Sequence, residues 1–99
     1  MTTILPRARR VDLSIPIMYR RTADDDWLQS KVLNLSDTGV LFSPSELEAG
    51  TPVEVILSPP IQVGTMAPGK QVCAAEVVRT TDAGAVAARF AGCRFLHDA

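Results

Sequence analysis

Three arginines fall within four residues near the amino terminus: Arg7, Arg9 and Arg10. A planar guanidinium pairs with two phosphate oxygens, or with the O6 and N7 acceptors of guanine, and its flat face stacks on a purine. A second group, Asn34-Leu35-Ser36-Asp37-Thr38-Gly39, combines an amide, a hydroxyl and a glycine in one short turn. Asn34 offers a carbonyl acceptor and an amide donor pair, and Ser36 a hydroxyl that donates or accepts. Gly39 permits positive φ and lets a ligand approach the backbone. Such a set suits phosphates and the polar edges of bases. Nothing in it supplies a nucleophile paired with a base, and the single histidine, His97, is a poor general base at the chain end. No catalytic residue is expected.

Each group also has a plainer explanation. An arginine cluster beside a terminus is often a solvated tail. Asn, Ser, Asp and Gly fill turns for backbone reasons alone. The triplet Asp37-Thr38-Gly39 matches the catalytic motif of aspartic proteases, in which two carboxylates share a proton. That alternative is remote, because Val40 follows where a small or polar residue is needed and Ser36 precedes where an apolar one is preferred. Asp24-Asp25-Asp26 lacks the alternating spacing of a calcium loop and reads as a solvated hairpin loop.

Composition excludes several classes. Ten Lys and Arg stand against eleven Asp and Glu, a net charge of −1, so the chain lacks the overall basicity of a DNA- or RNA-binding protein. The charge is uneven: residues 1–21 hold Arg7, Arg9, Arg10, Arg20 and Arg21 against the acid Asp12, the pattern of a local anion site. No apolar run has the length of a transmembrane helix, and Met1 to Pro6 lack the plan of a secretory signal. With 99 residues, 46% apolar and 21% charged, the expectation is one small cytoplasmic domain without membrane insertion. Cys73 and Cys93 have no CxxC spacing and form no zinc site with His97; they read as two reduced, partly buried thiols. No metal and no cofactor is expected.

Alternation of apolar and polar residues is easy to find, and helical periodicity is not. Leu13, Ile15, Ile17 and Tyr19 mark a first strand, with Pro16 suggesting an edge or bulge, and Trp27 to Asn34 a second. Val40 to Phe42, Val53 to Leu57 and Val72 to Arg79 follow, then Ala85 to Phe95 with a break near Gly92. Ser45 is placed to cap one helical turn from Pro44 to Ala49. Residues 59–70, with Pro59, Pro60, Gly64, Pro68 and Gly69, form a long irregular connection. Trp27 could stack on a base, though a lone tryptophan at a strand start reads rather as core or a lid over it; Arg79 either lines the same face as the turn motif or is a surface strand charge, the second favoured; Arg89 and Phe90 follow strand alternation, with Phe90 inward. Six short strands predict an antiparallel barrel or sandwich, and closure favours the barrel by removing edges. Residues 1–12 read as a flexible arm and 13–99 as a single barrel domain.

Together these stretches resemble the PilZ domain family, whose members carry an arginine motif in an amino-terminal arm and a (D/N)xSxxG motif in a strand turn. The resemblance runs from the arm through Asn34 to Gly39, Val40 to Phe42, Leu47 to Gly50, Val77 to Arg79 and Ala87 to Phe90. It implies a six-stranded antiparallel β-barrel with little or no helix that binds the bacterial second messenger cyclic diguanylate (cyclic di-GMP). It implies that Arg7, Arg9 and Arg10 contact phosphates and stack on guanine, opposite a wall of Asn34, Ser36 and Gly39. Ordering of the arm would then pass the signal to a protein partner. The usual arginine spacing in the family is RxxxR; here Arg7 and Arg10 give RxxR, and Arg9 and Arg10 are adjacent. Some members with altered arms do not bind the messenger and look like protein-interaction modules, for example in motility or type IV pilus regulation, so that function stays open beside nucleotide binding. Asn34 cannot receive both N1–H and N2–H of guanine as an aspartate would, so a weaker edge readout is expected. The residues after Phe95 are too few for the long carboxy-terminal helix common in the family, which is expected to be missing or vestigial here.

Overall fold

A computed structural model of the chain describes residues 11–43 and 45–96. The strands are β1 (Pro16–Arg21), β2 (Leu28–Leu35), β3 (Gly39–Ser43), β4 (Pro52–Leu57), β5 (Gln71–Thr80) and β6 (Val86–Phe95). They close into an antiparallel barrel, as expected, and the strands run round it in the order β1-β2-β3-β6-β5-β4. Among the described residues there is no helix, and so none long and apolar enough to cross a membrane.

Alternation builds the interior. Ile17 and Tyr19 of β1, Val32 and Leu35 of β2, Val40 and Phe42 of β3, and Val53, Val55 and Leu57 of β4 all point inward and are buried. The rings of Tyr19 and Phe42 meet with centroids 5.1 Å apart. Burying each such side chain contributes about 1.5–3 kcal/mol. The long connection after β4 adds its own plug: Val63 and Met66 pair across a tight turn and are both buried. Trp27 is half-buried, with the Arg20 guanidinium 4.7 Å from its ring centroid.

Four sequence expectations change. The regular first strand begins at Pro16 rather than Leu13. Leu13 and Ile15 still pack on the core, and the Ile15 carbonyl accepts from Val32 N–H at 2.8 Å. Pro16 has no N–H to continue the ladder, which separates this stretch from β1. Residues 45–50 form no helical turn. The Ser45 Oγ accepts from Leu47 N–H at 3.3 Å, Leu47 drops into the core, and Gly50 N–H is held by the Val77 carbonyl at 2.7 Å. Strand β6 does not break at Gly92 but carries an extra residue, Ala91, opposite the Ala74/Ala75 step.

The cysteines are the fourth correction. Cys73 and Cys93 lie directly opposite each other on β5 and β6 and are joined as a disulfide, not held as reduced thiols. Hairpin register brings them together. Two extra residues, Val78 on β5 and Ala91 on β6, fall on opposite strands, so the slip made by one is undone by the other. A ladder that closes at Thr80↔Val86 therefore arrives at Cys73↔Cys93 in step.

Candidate functional site

The turn between β2 and β3 is organised by one hydroxyl. Ser36 Oγ accepts from the N–H groups of Thr38 and Gly39, each at 3.2 Å, and lies 3.1 Å from Thr38 Oγ1. Ser36 N–H donates to the Gly39 carbonyl at 2.9 Å. The serine is buried and its polar atoms serve the turn, so its first role here is to hold the loop shape, as Ser in short turns does. Gly39 is needed for a different reason than positive φ, which it does not adopt. A Cβ on Gly39 would lie 2.5 Å from the Ala88 carbonyl oxygen, so the glycine lets β6 press against the turn.

Asp37 latches the turn to the long connection. Its Oδ2 accepts from Thr65 N–H at 2.8 Å and from Thr65 Oγ1–H at 2.9 Å. These donors, the backbone one foremost, hold the Asp37 carboxyl below its ordinary pKa. Gly64 sits against this carboxylate with φ +58°, a conformation that favours glycine. The carboxylate that the protease alternative would use is thus engaged in binding a loop.

Beside the turn, a groove of about 510 Å³ runs over the outside of β3, β6 and β5. Asn34, Ser36, Thr38 and Gly39 form one side, and Arg79, Ala87 and Arg89 the other. No carboxylate lines it, and neither Arg79 nor Arg89 makes an ion pair among the described residues. Glu76 lies across the ladder from Arg89 without pairing with it.

Two bulges aim the polar residues into this groove. Val32 points inward, and strict alternation would send Asn34 inward as well. Leu33 is an extra residue opposite the Phe42/Leu41 step, and it turns Asn34 out beside Leu41. On β5, Val77 points inward and Val78 is the extra residue, so Arg79 emerges beside Ala87 on the groove side. Both displaced hydrophobics are exposed, Leu33 at 45% and Val78 at 44%. Of the two readings of Arg79, the one that puts it on the face of the turn motif holds, and Arg89, outward by alternation, lines the same groove. Phe90 packs against the core as expected, and its N–H donates to the Thr38 carbonyl at 2.8 Å, tying β6 to the motif turn.

Of the six residues the sequence nominated, the structure brings Asn34, Ser36 and Gly39 together. Arg7, Arg9 and Arg10 lie outside the described residues. The attachment of that segment is described: Val11 N–H donates to the Leu35 carbonyl at 2.8 Å, and Leu35 N–H to the Val11 carbonyl at 3.0 Å. Val11 is thus fixed beside the motif. Among the described residues no group of three or more His, Cys, Asp or Glu is placed to hold a metal.

A second depression of about 630 Å³ lies across the barrel, centred on β1 with β2 and β4 at its flanks. Pro16, Met18 and Ile56 give it an apolar floor, with Lys31 and Lys70 at its border.

Comparison with known proteins agrees with this architecture. A solved structure described as the PilZ domain of CeSA from a cellulose-synthesizing bacterium superposes with a TM-score of 0.63 at 16% sequence identity, over 86% of this chain and 82% of that one. At that identity the likeness is one of fold. No curated protein sequence matches the chain. The family profile of the PilZ domain matches residues 6–99, which takes in the arginine cluster, the turn motif and all six strands, and the chain belongs to the PilZ domain family.

Proposed function

We propose that this chain binds cyclic diguanylate in the groove over β3, β6 and β5 and acts by binding, not catalysis. PilZ domains are in general receptor modules for that messenger. The observation that carries the reading is the convergence of Asn34, Arg79 and Arg89 on one groove without a carboxylate, beside a turn to which Val11 is fixed. The ligand has two phosphates and two guanines. Arginine meets both, by paired hydrogen bonds and by stacking. Asn34 presents an amide to a guanine edge, and Gly39 keeps the wall low. Arg7, Arg9 and Arg10 precede Val11 by four residues or fewer, within covalent reach of the groove rim. In this reading they clamp the phosphates from the other side, and the arm's ordering on binding alters the contact with a protein effector in the cytoplasm.

Isothermal titration with cyclic diguanylate tests this, with guanosine monophosphate as the control. Saturable binding that weakens as salt is raised is expected, because the clamp is built on charge. Replacing Arg9 and Arg10 together by alanine should weaken it further. Unchanged affinity in that double variant removes the arm from the mechanism. Absence of binding by the intact chain favours the second reading, a protein-interaction module without nucleotide, which the RxxR spacing of Arg7 and Arg10 supports.

A further inference from the structure

The Cys73–Cys93 bond ties the neighbouring strands β5 and β6 together at a particular place. Strand β3 covers β6 only from Val86 to Arg89. From Ala91 to Phe95 the ladder partner of β6 among the described residues is β5 alone. The disulfide lies within this half, two residues beyond the extra residue Ala91. Leu96 N–H donates to the Lys70 carbonyl at 2.9 Å. Counting back along the antiparallel ladder, Arg94↔Val72 is a hydrogen-bonded pair and Cys93↔Cys73 is not, so the cysteines occupy the pair type whose side chains approach most closely. Their Cα atoms are 4.0 Å apart.

The two ends of the bond differ in access. Cys73 is fully buried, whereas Cys93 is exposed. Cys93 lines surface depressions on both sides of β6, so an external thiolate approaches the bond from this end. The same half-strand leads directly to the ligand groove. Phe90 holds the Thr38 carbonyl of the motif turn, and Arg89 lines the groove.

We propose that Cys73–Cys93 is a reversible thiol–disulfide exchange site for small thiols, and that its state sets how firmly β6 holds the motif turn and hence the affinity of the groove. The part concerning affinity rests on the nucleotide-binding reading above. In the exchange, an external thiolate attacks Cys93 Sγ, the Sγ–Sγ bond breaks, and Cys73 leaves as a thiolate that takes a proton from water. A second thiol attacks the external sulfur of the mixed disulfide and releases Cys93, which is likewise protonated. Two external thiols are oxidised to one disulfide while the protein gains two electrons and two protons. In the reduced state the half-strand from Ala91 to Phe95 loses its covalent tie to β5 and is left with ladder hydrogen bonds and the packing of Phe95 beside Gly69, and it opens locally more often.

The test uses dithiothreitol on the folded chain, with amide hydrogen exchange followed residue by residue and cyclic diguanylate titrated in both states. Before reduction no thiol should react with iodoacetamide under denaturing conditions; afterwards two should. Reduction should speed exchange at Phe90 to Phe95 by tenfold or more while leaving Ile17 to Tyr19 unchanged, and should weaken cyclic diguanylate binding several-fold. The Cys73→Ala/Cys93→Ala variant should show the reduced pattern whether or not dithiothreitol is present. Two reactive thiols without reductant, a bond that dithiothreitol does not open in the folded chain, or exchange at Phe90 to Phe95 that ignores reduction would each overturn the proposal, as would equal affinity in two binding-competent states. If neither state binds the nucleotide, the reading of the groove fails, and the exchange rates alone decide on the clamp.

Discussion

Arg20 and Arg79 both stand on the outside of the barrel, and they are held in opposite ways. Arg20 Nη2 donates to Glu54 Oε1 at 2.7 Å, and its guanidinium lies 4.7 Å from the centroid of Trp27. Its charge is matched and its flat face is covered. Arg79 has no ion-pair partner among the described residues and opens onto a groove shared with Arg89. The ladders around the two residues differ in the same sense. Strand β1 pairs with β2 and with β4 in unbroken register. The β2–β3 and β5–β6 ladders are interrupted at Leu33 and at Val78. One wall is regular, with an apolar floor and a satisfied arginine. On the other, irregularity delivers Asn34 and Arg79 to a groove where, among the described residues, no carboxylate meets the arginines. Which side chains a barrel this small gathers into one groove thus depends less on which residues are present than on where alternation is broken.

The largest expected effect breaks that contrast directly. A hydrogen bond from a charged donor is worth about 1.5–3 kcal/mol, so Arg79→Ala or Arg89→Ala should each weaken cyclic diguanylate binding by roughly 10- to 150-fold in a calorimetric titration. Arg20→Ala should leave that affinity within error of the native value. A comparable loss from Arg20→Ala would show that the two walls do not differ in the way described.

Next comes the close packing beneath the groove. Gly39→Ala forces a Cβ to 2.5 Å from the Ala88 carbonyl, whereas a Cβ on Gly92 meets nothing within 4 Å. Overpacking of this kind typically costs about 1–3 kcal/mol, so the urea midpoint should fall for Gly39→Ala and barely move for Gly92→Ala. Equal midpoints would mean that β6 does not press on the turn.

The Asp37 latch predicts a pH dependence. Its folded pKa is lowered by Thr65, first through the backbone N–H and then through the hydroxyl. A carboxyl depressed on folding contributes stability above its ordinary value of 3.8, and that contribution disappears as the pH falls through the lowered value. Asp37→Asn should therefore be less stable than the native chain near neutrality and converge with it in strong acid, as followed by thermal unfolding across pH. A constant difference at every pH would assign the effect to shape and not to charge.

The smallest effect belongs to the satisfied wall. The Arg20–Glu54 pair is half-exposed, so Glu54→Gln should cost less than about 1 kcal/mol in chemical denaturation, the usual range for surface ion pairs.

Most of the fold was legible because the core obeys a period of two. Ile17, Tyr19, Val53, Val55 and Leu57 announce their strands by alternation, and each is buried. The site was legible in chemistry but not in geometry. Asn34, Ser36 and Gly39 were identifiable as a turn motif, yet the same alternation that finds strands would have turned Asn34 and Arg79 inward. A bulge adds a residue without a distinctive residue type, and Leu33 and Val78 look like ordinary strand residues. Gly39 was nominated for its conformational freedom, whereas its value lies in the space it leaves for the Ala88 carbonyl. The cysteine pair could have been found. Counting outward from the turn after Thr80 in an unbulged hairpin puts Cys73 opposite Cys93, and the absence of a CxxC spacing had no bearing on that.

The central claim is that the bulged wall over β3, β6 and β5 takes the nucleotide and the regular wall over β4, β1 and β2 does not. Backbone amide shifts recorded by nuclear magnetic resonance while cyclic diguanylate is added to the intact chain test it most directly. The account predicts perturbations concentrated at Asn34 to Leu41, at Val78 and Arg79, and at Ala87 to Arg89, with Met18, Lys31 and Ile56 unmoved. Perturbations centred on Met18, Lys31 and Ile56, or a spectrum unchanged at saturating nucleotide, would contradict it.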